Sequence, residues 1–304
     1  MKGLRRLGSR IERRHVLTVF LVALVALSGC AGLGGGDDAT ATPTATATET
    51  PADGADGGDG GTGTATAESV DVSAAEVVGP AVDAMNSVES YRFTGSLTQT
   101  VQAPNSQQNV SLELNTSVDR ANQRLMSEQT IDAGVQTLTT NTYIVDGTLY
   151  QRGQQFVQQY NSEWIQVDVS SGIEEQFNRN DELGAHRVML ENSSVDLVGA
   201  QTVDGERAYR LELDVDEEAL SDFYGFNGTS VTLQSVNTTI WVGTESNQVL
   251  RAAGDIRQQI TAQGQQLTTV STYDERFHYT DVDITLPDAA SGAVEVNQTT
   301  GLAA

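Results

Sequence analysis

Tyr91-Arg92-Phe93-Thr94-Gly95-Ser96-Leu97-Thr98-Gln99-Thr100-Val101 decides the fold class. Tyr91, Phe93, Leu97 and Val101 share one parity, and Arg92, Thr94, Ser96, Thr98 and Thr100 share the other. A period of two with one apolar and one polar side is the pattern of a half-buried strand. The residues just before it follow a different period. From Ser73 to Val88, Val77, Val78, Ala81, Val82, Ala84, Met85 and Val88 give the broad apolar face of a helix, opened by the capping-box spacing of Ser73 and Glu76. Gly79-Pro80 interrupts it, so the helix either kinks there or starts at Pro80, which suits a first turn.

The alternation then recurs. Val110, Leu112, Leu114 and Val118 oppose Ser111, Glu113, Asn115 and Ser117. Arg124–Ile131, Val135–Val145 and Trp164–Val169 read as further strands, with Asp146-Gly147 as a tight hairpin turn. Residues 173–192 form a polar, partly helical middle. A second hairpin turns at Asp204-Gly205, and Tyr209, Leu211, Leu213 and Val215 alternate with Arg210, Glu212 and Asp214. Asp216-Glu217-Glu218 opens a short helix through Tyr224, with acids at its positive end, and its Leu220, Phe223 and Tyr224 are expected to pack inward. Val231–Val242, Gln248–Ile260 and Gln266–Tyr279 are long strands, and Val282, Ile284 and Leu286 are expected to form a last one. No helix follows each strand, so a parallel sheet is excluded. The class is α+β, mainly β: a single curled antiparallel sheet over residues 71–288, wrapped around a few helices on its concave side, with a flexible tail at 289–304.

Upstream lies an address. Lys2, Arg5, Arg6, Arg10, Arg13 and Arg14 precede the apolar run Val16–Leu27, and Ser28-Gly29 precede Cys30, the single cysteine. Residues 1–29 resemble a lipoprotein signal peptide, and Arg13-Arg14 resembles a twin-arginine export pair; an ordinary secretory signal is the alternative. Cleavage before Cys30 and lipidation of its thiol would anchor the chain on the outer face of a membrane, since two acyl or alkyl chains give stable residence. Residues 30–70 carry the anchor and a Thr/Gly/Ala/Asp-rich tether, too poor in large apolar residues to offset its ordering entropy and therefore expected to be disordered.

Removing residues 1–29 leaves 11 of the 17 basic and 40 of the 41 acidic residues, a net charge of −29 with no lysine. That balance resembles proteins of salt-loving archaea, whose self-repulsion is screened in concentrated salt. It excludes a nucleic-acid binder, which needs Lys/Arg stripes. Asn109, Asn115, Asn192, Asn227, Asn237 and Asn297 begin glycan sequons. Chemistry is sparse. His186 and His278 remain after cleavage, with no His-x-x-x-His pair, no cysteine ligand and no Gly-x-Ser-x-Gly elbow. No catalytic residue, metal site or cofactor is expected, and Glu174-Glu175 and Asp216-Glu217-Glu218 read as solvated acids.

Met85-Asn86-Ser87-Val88-Glu89-Ser90-Tyr91-Arg92-Phe93-Thr94-Gly95, Tyr143-Ile144-Val145-Asp146-Gly147-Thr148-Leu149-Tyr150, Val203 to Tyr209, and Trp241-Val242-Gly243 with Leu250-Arg251 resemble the lipoprotein-carrier superfamily of LolA-like and LppX/LprG-like proteins. The resemblance covers residues 73–286. It implies an open half-barrel with helices plugging an apolar concavity that holds acyl or glycolipid chains. Met85, Phe93, Leu97, Leu112, Leu114, Tyr209, Leu211 and Leu213 are the candidate cavity lining, although the same positions suit a plain core. The leading expectation is a membrane-anchored surface lipoprotein binding a lipid or other apolar ligand. A non-enzymatic envelope sensor or scaffold with a protein partner is second, and a carboxylate-dependent hydrolase third.

Overall fold

The computed structural model describes residues 68–103, 106–134, 136–178, 180–224, 226, 231–262 and 265–296. Arg13, Arg14, Cys30, the tether through residue 67, Asn227 and Asn297 lie outside the described residues. In chain order the elements are α1 (Ala74–Ser87), β1 (Ser90–Ala103), β2 (Ser106–Asp119), β3 (Arg124–Asp132), β4 (Thr137–Val145), β5 (Thr148–Gly153), α2 (Gln155–Tyr160), β6 (Trp164–Asp168), α3 (Ile173–Asn178), α4 (Glu182–Glu191), β7 (Ser193–Val203), β8 (Glu206–Val215), α5 (Glu217–Tyr224), β9 (Val231–Gly243), β10 (Val249–Ala262), β11 (Gln265–His278) and β12 (Val294–Glu295).

The strands form one sheet in the order β12-β6-β5-β4-β3-β2-β1-β11-β10-β9-β8-β7. β1 pairs with β2 on one side and with β11 on the other, so the N-terminal and C-terminal meanders meet along it. All pairings are antiparallel except β12 with β6. Among the described residues β7 and β12 do not pair, so the sheet curls without closing. Asp146-Gly147 and Asp204-Gly205 make two tight hairpins, each with both residues at positive φ, as the twist of the flanking strands requires.

α1 settles the Gly79-Pro80 question. Ser73 and Glu76 form the capping box, and the helix runs through Pro80 to Ser87 with Val77, Ala81 and Met85 buried. The concave parity of nearly every strand then merges with α1, α4 and α5 into one apolar cluster, including Tyr91, Phe93, Leu125, Ile144, Leu211, Leu220, Ile240 and Phe277. At about 25 cal/mol per Å² of apolar area removed from water, that cluster is the main stabilising term of the domain.

Three expectations are corrected. Val282, Ile284 and Leu286 form no strand. They run as an extended strap that packs on Tyr143, Val145 and Trp164. Those three residues have the opposite parity to Ile144 and Ile165 of the concave core, so the strap covers the convex face. Extended backbone alternates its side chains whether or not it joins a ladder. The tail expected to be flexible from residue 289 instead buries Ala290 and Val296 and adds β12 to the sheet. At the other end, Glu68 bridges Ala200 of β7, inside the span assigned to the tether.

Candidate functional site in the concave face

α4 crosses the concave face and is buried on nearly every side, through Leu183, Gly184, Ala185, His186, Met189 and Leu190. Such a helix needs its N-terminus held, because its first amides lack helical partners. Asp181, the residue before it, makes no side-chain cap. Its carboxylate instead accepts from Tyr91 Oη at 2.7 Å and from Arg120 Nη2 at 2.6 Å. Arg120 Nη1 donates to Met85 O at the end of α1, and Leu183 N donates to Tyr91 Oη. One buried polar knot thus ties α1, α4, β1 and the end of β2 together. Burial, followed by the Asp181 carboxylate, holds the Tyr91 phenol well above its ordinary range.

One turn further along α4, the face that meets the sheet becomes ionisable. Glu182 and His186 are four residues apart and share a helix face. Opposite them Glu275 stands between Tyr273 and Phe277 on the concave parity of β11. Its neighbours on the adjacent strands are Gly95 and Ala252, among the smallest side chains the sheet could offer. A Cβ on Gly95 would lie 3.3 Å from Glu275 Cγ, so the glycine leaves room for this side chain. His186 Nε2 and Glu275 Oε2 are 2.7 Å apart. The imidazole also meets the Phe277 ring edge-on, at 5.5 Å between centroids. Burial pushes both Glu275 and Glu182 up to about 8, with Asp274 adding to the first and Glu275 to the second. Burial also holds His186 below its ordinary value, against the pull of Glu182 and Asp181.

The concave face carries two polar pairs, Thr116 with Ser127 at the level of Phe93 and Gln99 with Ser271 nearer the β1–β2 hairpin. Leu114 on β2, level with Gly95, and Ile131 on β3, Ile256 on β10 and Leu233 on β9 pack against the core but are only partly buried.

The candidate lining residues divide accordingly. Met85, Phe93, Leu97, Leu112, Leu211 and Leu213 are buried members of the packed cluster, several against the helices, whereas Leu114 and Tyr209 remain partly exposed at its margin. Asn109, Asn115, Asn192 and Asn237 are exposed, though Asn192 already donates to Val188 O. His278 and Glu174 face solvent, and the Asp216 carboxylate caps α5 by accepting from Glu218 N and Ala219 N. Glu182, His186 and Glu275, far apart or unremarked in the sequence, each bring a ligand atom within 4.8 Å of the others. Two signals could have found them. One is the Glu-x-x-x-His spacing at 182–186; the other is an acid, Glu275, at an apolar-parity position between two aromatics.

A family model described as a family of unknown function (DUF7537) matches residues 15–285. The chain belongs to this family. No curated protein matches the sequence. Among solved structures the chain is similar to LprF from Mycobacterium bovis, at 11% identity and a TM-score of 0.45 over 71% of this chain and 96% of that one. It is also similar to the Mycobacterium tuberculosis lipoprotein LppX, at 12% identity and a TM-score of 0.40 over 70% and 100%. A LolA superfamily protein from Nitrosomonas europaea is similar at 11% identity and a TM-score of 0.24 over 70% and 96%. These likenesses concern the course of the chain and assign it no ligand.

Proposed function

We propose that this protein is a non-enzymatic surface lipoprotein that takes an apolar chain, such as a lipid acyl tail, against the concave face of its sheet. The carrying observation is a set of half-buried apolar residues on the concave parity, Leu114 and Ile131 on β2 and β3 and Ile256 and Leu233 on β10 and β9. A concave face with apolar side chains within reach of solvent is the usual place for an apolar ligand. The sequence resemblance to lipoprotein carriers points the same way, and so does the lipobox at Cys30, which would hold the concavity beside a membrane. The buried members of the original candidate set serve as the floor of the domain rather than as the lining of the site.

The test uses mature protein purified without detergent and extracted with organic solvent. About one lipid per chain by mass spectrometry is expected, and Ile131→Glu should abolish it while leaving the circular dichroism unchanged. Protein that carries no lipid and binds no fluorescent acyl probe would remove this reading.

A further inference from the structure

The apolar-ligand reading leaves unused a second feature of the concave face. Glu182, His186 and Glu275 converge from α4 and β11 to within 4.8 Å. Several observations set this group apart from a patch of surface acids. His186 is 0% exposed and Glu275 6%. His186 Nδ1 is buried without a hydrogen-bond partner. Glu182 is half-buried, and among the described residues its side chain has no recorded hydrogen bond or ion pair. Arg120, the cation at this end of α4, is committed to Asp181. The sheet is thinned by Gly95 and Ala252 where Glu275 stands.

Buried Glu275 and half-buried Glu182 face one imidazole, and among the described residues no arginine pairs with either carboxyl. Such a group is stabilised either by retained protons or by a single dication. Protons alone give the core nothing that two leucines would not give better. A dication takes one ligand atom from each of the three side chains.

We propose that Glu182, His186 and Glu275 form a binding site for a divalent first-row transition metal, of which zinc is the probe. One imidazole nitrogen and two carboxylate oxygens are a borderline donor set of the kind that holds zinc or manganese, with solvent completing the shell. On binding, the His186–Glu275 hydrogen bond is exchanged for two bonds to the metal, and the carboxyl protons pass to solvent. Because the ligands lie on α4 and β11, the metal pins the buried helix to the centre of the sheet. It thereby fixes the floor of the concavity independently of what the concavity carries.

The experiment is a zinc chloride titration of chelator-stripped mature protein, with magnesium in excess to occupy surface carboxylates. It is followed by calorimetry in two buffers of different protonation enthalpy. One saturable equivalent, proton release and a higher melting temperature are expected. Glu182→Gln and Glu275→Gln should each weaken binding at least about tenfold, and neither should lower the melting temperature of the stripped protein. Cobalt in place of zinc should give an absorption band in the visible that is lost in both variants. Absence of stoichiometric zinc binding would overturn the site. So would binding unchanged in both variants, which would place the zinc on surface acids.

Discussion

Asp181→Ala removes the acceptor at the centre of the knot that holds α4. The carboxylate accepts two short hydrogen bonds, from Tyr91 Oη and Arg120 Nη2. The side chains of Arg120 and Asp181 are 18% and 11% exposed. Breaking a fully buried ion pair costs roughly 3–5 kcal/mol because the remaining charge is stranded. Arg120 keeps its bond to Met85 O and some access to water, but its Nε already lacks a partner. The lower end, about 3 kcal/mol, is therefore expected. For a domain of this size about 1 kcal/mol shifts the melting temperature by roughly 2–4 °C, so a drop of roughly 6–12 °C follows. Tyr91→Phe should cost about 1–2 kcal/mol, since it leaves Leu183 N and one Asp181 oxygen unpaired. The two substitutions should be non-additive in a double-mutant cycle followed by urea denaturation. A loss below about 1 kcal/mol for Asp181→Ala, the range of an exposed ion pair, would refute the claim that this knot is what seats the helix.

Further outcomes follow from the same chemistry. In chelator-stripped protein, Glu275 titrates near 8 when folded and near its ordinary 4.5 when unfolded. Above 4.5 the unfolded chain therefore binds fewer protons than the folded one. The stability from this group is complete below about 4.5 and is lost as pH rises to about 8, at up to ~1.4 kcal/mol per pH unit. Urea midpoints between pH 5 and 8 should fall more steeply in the parent than in Glu275→Gln; parallel slopes would contradict the burial of this carboxyl. With a net charge of −29 after cleavage, cooperative thermal unfolding by circular dichroism should be present in molar salt and lost in millimolar salt, and an unchanged melt would contradict this. Cys30→Ser should move the protein from the detergent-rich to the aqueous phase and remove the lipid from its N-terminal peptide mass. Retention in the detergent phase would mean that something other than this thiol anchors it. Leu114→Trp should reduce binding of an acyl probe by filling the concave face beside Ile131 while leaving the melting temperature within a few degrees; unchanged binding would place the ligand elsewhere.

Much of the architecture was written in local periods. Tyr91 to Val101 alternates because a strand has two faces, and its concave set is the set found in the core. Asp146-Gly147 and Asp204-Gly205 turn where their φ tolerance allows. The same logic misread Val282, Ile284 and Leu286, because alternation reports an extended backbone facing an apolar surface and says nothing about hydrogen bonds to a neighbouring strand. α2 carried no readable signal: Gln155–Tyr160 is six residues with no buried side chain, too short for a helical period to show. Phe223 and Tyr224, expected to pack inward, have side chains outside the described residues, whereas Leu220 beside them is buried.

By itself the sequence determined the class of the domain, the parity of its strands and its charge, since each of these is a property of neighbours along the chain. Tertiary structure alone decided which concave residues are core and which stay open. Leu112 and Leu114 share one strand and one parity, but Leu112 is buried and Leu114 only partly so. It also decided that Glu275 meets His186, 89 residues away. No local period encodes that meeting, because it depends on where a buried helix crosses a sheet whose central strands come from opposite ends of the domain.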